Sequence, residues 1–364
     1  MIEYTVSSVC HELFPTEIII CDFYCDEEVL IRVLPRIPNN SSWGEIQVNN
    51  LQLSEKLPMP NKLLAIWLSV VEKKFYELKS SIPKSAMELL WEYEASNNVI
   101  FSQIVVGLAP YGYACIWFSG FKKAVYVGNM KGDYCSLQSE YKAAILEGLT
   151  IERYCDFYIN NDSRVKENLK KNGLPPRDLF DNYMKQFTYR YQVIFGHWDE
   201  EKKEWKKEEK GSQQTISSGG KSSQTEEEEK SVPEFEYIEE ALFDGTHDKL
   251  HDGGLMKYHE AGKPKKLAVK WHVEKKEWTA YLWFEDEEIR RVFDRFYGAH
   301  PETKTDFIIR IDPEKDHYEL SIYRQGLREP IVIQEKVYQL LVFRNKFECF
   351  RSDNYKQERG AWIW

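Results

Sequence analysis

The sequence has few features that would mark it for a membrane, for export or for a disulfide-bonded fold. Its apolar runs are only a few residues long, as in Ile18–Ile20, so none could span a bilayer as a helix. The first ten residues have neither a basic opening nor a continuous apolar stretch, so we expect no secretory signal there. These absences predict a cytoplasmic protein without a membrane span.

Cysteine is present but is not arranged for disulfides or zinc. The seven cysteines are an odd number, and Cys21 and Cys25 have no second pair of Cys or His placed to complete a zinc site. We therefore expect reduced thiols, which agrees with the cytoplasm.

The motifs of common enzymes are also missing. No serine lies in a Gly-x-Ser-x-Gly turn, and no glycine-rich loop ends in Gly-Lys-Ser or Gly-Lys-Thr. Gly107, Gly112 and Gly120 surround a predicted hairpin and do not open a helix, which argues against a phosphate site. The sequence thus predicts a protein that is not an enzyme and uses no cofactor.

The chain does contain enough apolar and aromatic residues for two domains. It has 364 residues, of which 42% are hydrophobic and 14% aromatic, as in folded globular proteins. The net charge of −10 is uneven, because residues 199–240 hold fourteen acidic and seven basic residues, a net of −7, which leaves −3 elsewhere. Without a basic stripe we expect no nucleic-acid partner.

The acidic stretch also predicts the domain organisation. Gly211–Ser231 has no apolar periodicity, so burial could not offset the entropy lost on ordering it. The sequence therefore predicts one domain over residues 1–198, a flexible acidic linker over 199–240 and a second domain over 241–364. An acidic interaction tail is the alternative interpretation of the linker.

Both predicted domains contain one pattern. Lys-Leu-x-x-x-Trp occurs at residues 62–67 and 266–271, and each copy leads into a charged turn and a second strand. An amphipathic helix follows, over Lys84–Tyr93 and Glu285–Tyr297. Two further strands then surround a proline, Pro110 in the first domain and Pro313 in the second.

These matches occur in the same order, which predicts a tandem duplication. The predicted fold class is α+β, with two tandem related units, each a mostly antiparallel β-sheet with packed helices. The first unit should contain two more helices, over Ser163–Lys171 and Asp178–Phe187.

Several segments of the first half resemble one bacterial family. They include Phe14–Ile18, Ser42–Gly44, the hairpin Ile104–Gly120 with its tryptophan strand, and the closing segment Asn172–Phe195. Over residues 8–198 the chain resembles the bacterial domain-of-unknown-function family 2931. The C-terminal half keeps only the repeat pattern.

The resemblance implies a function but no active site. Members of this family are often encoded near secreted antibacterial toxins, and several are thought to be immunity proteins in interbacterial competition, including type VI secretion. The family has no established catalytic motif, so no catalytic residue is carried over. Many members have a lipoprotein signal, and because the first residues here lack one, the expected toxin acts in the cytoplasm.

The partner-binding residues are therefore predicted from turns, because hairpin turns on a sheet scaffold are exposed and free to vary. The two predicted turns comprise Pro110, Tyr111 and Gly112, and Asp312, Glu314, Lys315, Asp316 and His317.

A metal site is the next hypothesis. His247 and His251 could ligate a divalent metal together with neighbouring acidic and histidine residues, namely Asp244, Asp248, Asp252 and His259. Glycines follow Asp244 and Asp252, so a polar loop is the favoured interpretation and no metal is predicted.

Three functional hypotheses follow. The favoured one is an immunity protein that binds a cognate protein toxin stoichiometrically and occludes its active site, which requires a large surface with aromatic and charged anchors. The alternative is a small-ligand or carbohydrate-binding module with exposed tryptophans. The third is a metal-dependent hydrolase built on the His247 segment.

Overall fold

The structure is a computed structural model in which two compact units can be described. One unit is Met1–Met184 with Phe243–His247, and the other is Lys185–Leu242 with Asp248–Trp364. The described residues are 2–33, 43, 56–96, 99–120, 123–136, 146, 148–205, 233–251, 257–274, 276–313, 317–324, 326–334, 337–344 and 348–353.

The described part of the first unit contains strands of two sheets and four α-helices. Its strands are β1 (Thr5–Val9), β2 (Thr16–Cys25), β3 (Glu28–Arg32), β4 (Lys62–Ser69), β5 (Lys74–Ser81), β6 (Phe101–Leu108), β7 (Tyr113–Gly120), β8 (Ala124–Lys131) and β9 (Asp133–Cys135). Its helices are α1 (Lys84–Ser96), α2 (Ile151–Asn161), α3 (Ser163–Asn172) and α4 (Leu179–Tyr183). One sheet runs β1-β6-β7-β8 and the other β3-β2-β4-β5-β9. Strand β1 pairs with β6 in parallel, and the other pairs of these two sheets are antiparallel.

The main core of this unit contains side chains from both sheets. Leu63 and Trp67 are fully buried on one face of β4, because every second residue of a strand points to the same face. They belong to the same apolar cluster as Ile104 of β6 and Phe118 of β7, and Met87 of α1 joins it. A second cluster holds Tyr154 and Cys155 of α2 against Leu68 and Phe75.

Local chemistry sets the helix ends. Helix α1 begins after Pro83, whose carbonyl accepts the first helical hydrogen bond from Met87. Asp162 caps α3 by accepting from the backbone N–H groups of Arg164 and Val165. Gly173 ends α3 with φ of +73°, a backbone conformation that residues other than glycine rarely adopt.

The described part of the second unit contains strands of three sheets and one α-helix, α5 (Asp286–Tyr297). Its strands are β10 (Phe187–Phe195), β11 (Trp198–Asp199), β12 (Glu204–Trp205), β13 (Glu234–Leu242), β15 (His259–Ala261), β16 (Pro264–Val273), β17 (Lys276–Phe284), β18 (Thr305–Asp312), β19 (His317–Arg324), β20 (Ile331–Val332), β21 (Tyr338–Arg344) and β22 (Glu348–Asp353). Strand β14 (His247–Leu250) begins at the last residue of the first unit. Within this unit the strand orders are β15-β10-β18-β19-β20, β13-β16-β17-β21-β22 and β11-β12. Here β10 pairs with β18 in parallel.

The predicted mixture of helices and mostly antiparallel sheet is confirmed. The parallel pair in each unit was not predicted. The helices predicted over Lys84–Tyr93, Ser163–Lys171 and Glu285–Tyr297 are present, whereas the one predicted over Asp178–Phe187 is too long. Helix α4 ends at Tyr183, and Phe187 is the first residue of β10. The prediction was too long because Phe187 fits both the apolar spacing of the helix and the alternation of the strand that follows.

The observed division differs from the predicted domain boundaries. Strand β10 belongs to the second unit, although it lies before residue 198. The predicted linker over 199–240 holds β11 and β12 at its start and most of β13 at its end, while residues 206–232 lie outside the described part. All of residues 199–240 are assigned to the second unit, so the acidic stretch is flanked by strands of one unit. In the described part of the chain, no helix has the length and apolarity to cross a membrane.

Candidate interaction surface

The first predicted turn is held inside its unit. Pro110 and Gly112 are buried, and Tyr111 is half-buried with φ of +60°. The backbone N–H of Tyr111 donates to Glu72 Oε2 at 2.8 Å, and its hydroxyl donates to the carbonyl of Pro175 at 2.8 Å. The exposure that was predicted for Pro110 and Gly112 is therefore wrong. Tyr111 lies between them, and both its backbone N–H and its hydroxyl are hydrogen-bonded to neighbouring segments.

The second predicted turn is only partly described. Asp312 is fully buried and accepts a hydrogen bond of 2.6 Å from the backbone N–H of Trp198. His317 is half-buried and stacks on Trp198, with ring centroids 3.9 Å apart and planes at 12°. The predicted exposure of Asp312 is wrong, since its carboxylate serves to fix the start of β11. Glu314, Lys315 and Asp316 lie outside the described residues.

The histidines proposed as metal ligands do not lie on a helix. His247 opens the strand β14 and His251 follows that strand, and Asp252 lies outside the described residues. His259 lies in β15, where its Nε2 is 3.6 Å from Glu240 Oε1. Among the described residues, the three side chains whose ligand atoms lie within 4.8 Å of one another are Glu236, His272 and Glu277.

A lysine already occupies this Glu-His-Glu cluster. Lys270 Nζ lies 3.2 Å from Glu236 Oε2 and 2.8 Å from Glu277 Oε2, and His272 Nε2 lies 2.8 Å from Glu236 Oε2. Burial alone would raise the pKa of Glu236, but the hydrogen bonds from His272 and Lys270 outweigh it and lower that pKa. The ammonium group thus supplies the positive charge that a metal would supply, and the cluster is an ion-pair network.

A second polar network is buried in the same unit. Tyr191 donates from its hydroxyl to Glu240 Oε2 at 2.8 Å, and Glu240 is 3% exposed. Burial lowers the pKa of His259, but the neighbouring Glu240 carboxylate has the larger combined effect and raises it. The raised pKa of His259 predicts that the stability of the unit depends on pH.

Three buried cysteines, Cys21, Cys115 and Cys155, are suited to packing more than to nucleophilic chemistry. Burial raises the pKa of the Cys155 thiol to about 12, and burial also raises the pKa of Cys21 and Cys115. These thiols stay protonated at neutral pH.

Exposed apolar side chains are concentrated in the first unit. Among the described residues ten large apolar side chains are exposed, and only Tyr258 and Val332 of these belong to the second unit. The eight in the first unit are Val29, Leu89, Tyr93, Ile100, Tyr134, Leu149, Phe157 and Leu174. Three of them, Leu89, Tyr93 and Ile100, lie on α1 or directly after it, which makes this segment the candidate interaction surface.

Helix α1 presents two apolar faces. Its inner face places Met87, Leu90 and Trp91 against the core. Leu89 is 67% exposed and Tyr93 65% exposed, and residues four apart lie on one side of a helix. We call Leu89 and Tyr93, with exposed Ala86 beside them, the α1 stripe. The sequence predicted Leu89 and Ala86 to lie beside the buried stripe of Met87, Leu90 and Trp91, but a helical wheel places Leu89 on the side of α1 away from Met87.

Acidic side chains flank the stripe. Glu92 is exposed and Glu88 half-buried, and neither forms an ion pair with another described residue. Glu94, 6% exposed, is paired with Lys123 at 3.1 Å on the inner side of the helix. The α1 stripe is therefore an apolar surface with an excess of negative charge at its border.

The segment that carries the stripe is also the part of the chain for which a family is found. Residues 1–176 match the family model described as Protein of unknown function (DUF2931). The resemblance inferred from the sequence is thereby confirmed, and the DUF2931 region includes every strand of the first unit's two sheets as well as α1 to α3. Neither a curated protein nor a solved structure matches the chain.

Proposed function

We propose that this chain is a non-enzymatic immunity protein that binds a cognate toxin through its DUF2931 region. The observation that carries the proposal is the α1 stripe, where Leu89 and Tyr93 are exposed on a helix that has already buried another apolar face. Full burial of a large apolar side chain contributes about 1.5–3 kcal/mol, and a side chain that stays in water does not make this contribution. Such exposure is expected where a partner covers the residues, and tyrosine is among the residues enriched at binding hot spots.

The charge around the stripe indicates the partner's character. Glu88 and Glu92 flank it, and the whole chain carries a net charge of −10. Opposite charge speeds association and disfavours wrong partners. The toxin face that fits would be apolar at its centre and basic at its rim.

The predicted turns support the binding surface less well than the stripe does. Pro110, Gly112 and Asp312 are buried, so a partner could reach at most Tyr111 and His317 among the described turn residues. We therefore move the proposed centre of binding from the turns to α1.

The carbohydrate alternative depends on exposed tryptophans. Trp67, Trp117, Trp271 and Trp278 are buried, and Trp91 and Trp283 are half-buried, so these six tryptophans offer little flat surface for stacking a sugar. The immunity proposal is therefore favoured over this alternative.

A tandem duplication remains part of the proposal. It is supported by the order of elements, since hairpin β4–β5, helix α1 and hairpin β6–β7 have counterparts in β16–β17, α5 and β18–β19. The parallel pairs β1–β6 and β10–β18 also correspond. An experimental structure that paired β18 with a different neighbour would contradict this origin.

We also propose that the protein acts in the cytoplasm. The six described cysteines form no disulfide, which suits a reducing compartment. Cell fractionation with an antibody to the chain tests this, and recovery in a membrane or periplasmic fraction would contradict it.

The proposal is tested by capture of the partner from native cells with the tagged full-length chain. The double variant Leu89→Arg with Tyr93→Arg should lose at least ~10-fold in capture, because it places charge where apolar contact is needed. Phe157→Arg is the matched control, since Phe157 is 61% exposed on α2 and should leave capture unchanged.

The captured partner must also behave as a toxin. Expressed alone it should stop growth, and co-expression of the wild-type chain, but not of the α1 double variant, should restore it. Equal protection by both would show that α1 is not the binding surface, and a harmless partner would contradict the immunity function.

A further inference from the structure

The second unit contains an apolar groove that the proposed function does not use. The groove lies between α5, strands β19 and β20, and the segment that follows β20, and its volume is about 230 Å³. Its apolar lining includes Val292, Phe296, Ile322, Ile331, Val332 and Val337, with Ile333 beside them. Because the side chains that form its floor are themselves buried, as Phe296 and Ile322 are, the groove is part of the packed structure and is not a gap between mobile loops.

The volume sets the size of what could enter. A closed apolar cavity of about 150 Å³ holds a benzene molecule. A groove of 230 Å³ with one open side has room for an aromatic ring or a medium-length alkyl chain, but not for a folded segment of another protein.

The charged side chains that line the groove are Glu288, Arg291 and Arg295, which together carry a net charge of +1. Arg291 is already engaged, with hydrogen bonds of 2.6 Å to Glu287 and 3.0 Å to Glu288. Arg295, one turn later on the same face of α5, lines the groove and forms no ion pair with another described residue. A single guanidinium beside an apolar groove suits one carboxylate, which it can bind through two parallel hydrogen bonds.

We propose that this groove binds an amphiphilic carboxylate, with the alkyl chain between α5 and β19 and the carboxylate on Arg295. The alkyl chain covers apolar surface on Val292 and Ile331, which are only half-buried in the unliganded structure. A neutral ligand of the same length gains the apolar contact alone, and a cationic one meets Arg295 with like charge. The site is therefore selective for charge as well as for chain length.

Titration of the full-length chain with octanoate, octanol and octylammonium tests the proposal, with binding followed by calorimetry or by chemical shifts. Octanoate should bind at least ~10-fold more tightly than octanol, since hydrogen bonds to charged groups are the stronger ones. Arg295→Glu should remove this preference. Arg290→Glu is the matched control on the same helix, because Arg290 does not line the groove.

A second variant tests the groove itself. Val292→Trp should fill it and abolish binding of octanoate and octanol alike, while far-UV circular dichroism shows that the fold is kept. Octanoate binding that survives both Val292→Trp and Arg295→Glu would overturn the proposal. A short peptide ending in leucine that binds more tightly than octanoate would also overturn it, in favour of docking by a chain end.

Discussion

Helices α1 and α5 occupy the same place in the order of elements of their units, yet their outer faces differ. When the buried stripes are aligned, so that Met87 matches Ile289, Leu89 falls on Arg291 and Tyr93 on Arg295. Helix α5 thus has the charged outer face expected of a helix that meets water, with Arg291 in an i,i+4 pair with Glu287. At the same places α1 has Leu89 and Tyr93, which are 67% and 65% exposed, and this exposure is why we assign binding to the DUF2931 region.

The inner faces differ as well. In the same alignment buried Glu94 of α1 falls on buried Phe296 of α5. The first unit therefore needs Lys123 to neutralise a charge that the second unit does not contain. The four predictions below test how far the two units are equivalent, in order of decreasing effect.

The largest effect is expected from the tryptophan of the shared Lys-Leu-x-x-x-Trp pattern. Trp67 and Trp271 are both fully buried. Trp67→Ala or Trp271→Ala should each destabilise its unit by about 3–5 kcal/mol, because a large cavity is left. Urea denaturation followed by circular dichroism measures the loss.

The milder change to phenylalanine should separate the two sites. Trp67 Nε1 donates to the carbonyl of Ala109 at 3.1 Å, whereas Trp271 Nε1 has no hydrogen-bond acceptor among the described residues. Trp67→Phe should therefore cost about 1 kcal/mol more than Trp271→Phe. Equal losses in the two variants would mean that the Trp67 hydrogen bond makes no net contribution to the free energy of unfolding.

The second prediction concerns two glycines with positive φ. Gly112 has φ of +75°, and a Cβ there would collide with the carbonyl oxygen of Gly132. Gly326 has φ of +98° with open space around its Cβ position. Gly326→Ala should cost about 1 kcal/mol from backbone strain alone, and Gly112→Ala about 2–3 kcal/mol more from overpacking. Thermal unfolding of both variants checks the difference, and similar melting temperatures would show that the turn at Gly112 can relax.

The third prediction uses the ion pair of Glu94 and Lys123. Lys123→Met leaves a buried carboxylate without its partner, which should destabilise the protein by about 2 kcal/mol, less than for a fully buried pair because Lys123 retains some exposure. Adding Glu94→Phe, the residue found at the aligned position of α5, should recover most of the loss. A double variant less stable than Lys123→Met alone would show that the two helices are packed differently at this point.

The smallest effect is expected from pH. The pKa of His259 is raised in the folded protein, so its contribution to stability is complete below its unfolded pKa of about 6.5 and is lost as pH rises through the folded pKa. His259→Gln should flatten this part of the stability profile. Urea midpoints of both proteins between pH 5 and 9 measure it, and parallel profiles would exclude His259 as the titrating group.

The sequence predicted the helices and hairpins well because each was marked by local chemistry. The apolar spacing in Glu285–Tyr297 predicted α5 to within one residue, and Pro110 and Gly112 marked the turn between β6 and β7. It failed where one pattern fits two structures. Phe187 continues the apolar face of α4 and also begins the alternation of β10, and the pairing with β15, where Phe187 lies opposite Ala261, decides between them.

The candidate site could be predicted less well. The turns were chosen because turns are commonly exposed, but Asp312 is fully buried by its bond to Trp198, a residue 114 positions away. The α1 stripe could have been found from a helical wheel, yet its exposure depends on no other element covering it. The Glu236, His272 and Glu277 cluster had no sequence signal, since its members lie on three strands.

The sequence alone determined what depends on neighbours in the chain: the periods of the helices and strands, the turn residues, the acidic stretch and the family of the first half. Tertiary structure decided what depends on residues far apart. It assigned β10 to the second unit, buried Pro110, Gly112 and Asp312 of the predicted turns, placed Lys270 between two carboxylates and left Leu89 and Tyr93 exposed. The physical reason is that hydrogen-bond spacing and backbone preferences act over a few residues, whereas burial and ion pairing depend on which distant segments meet.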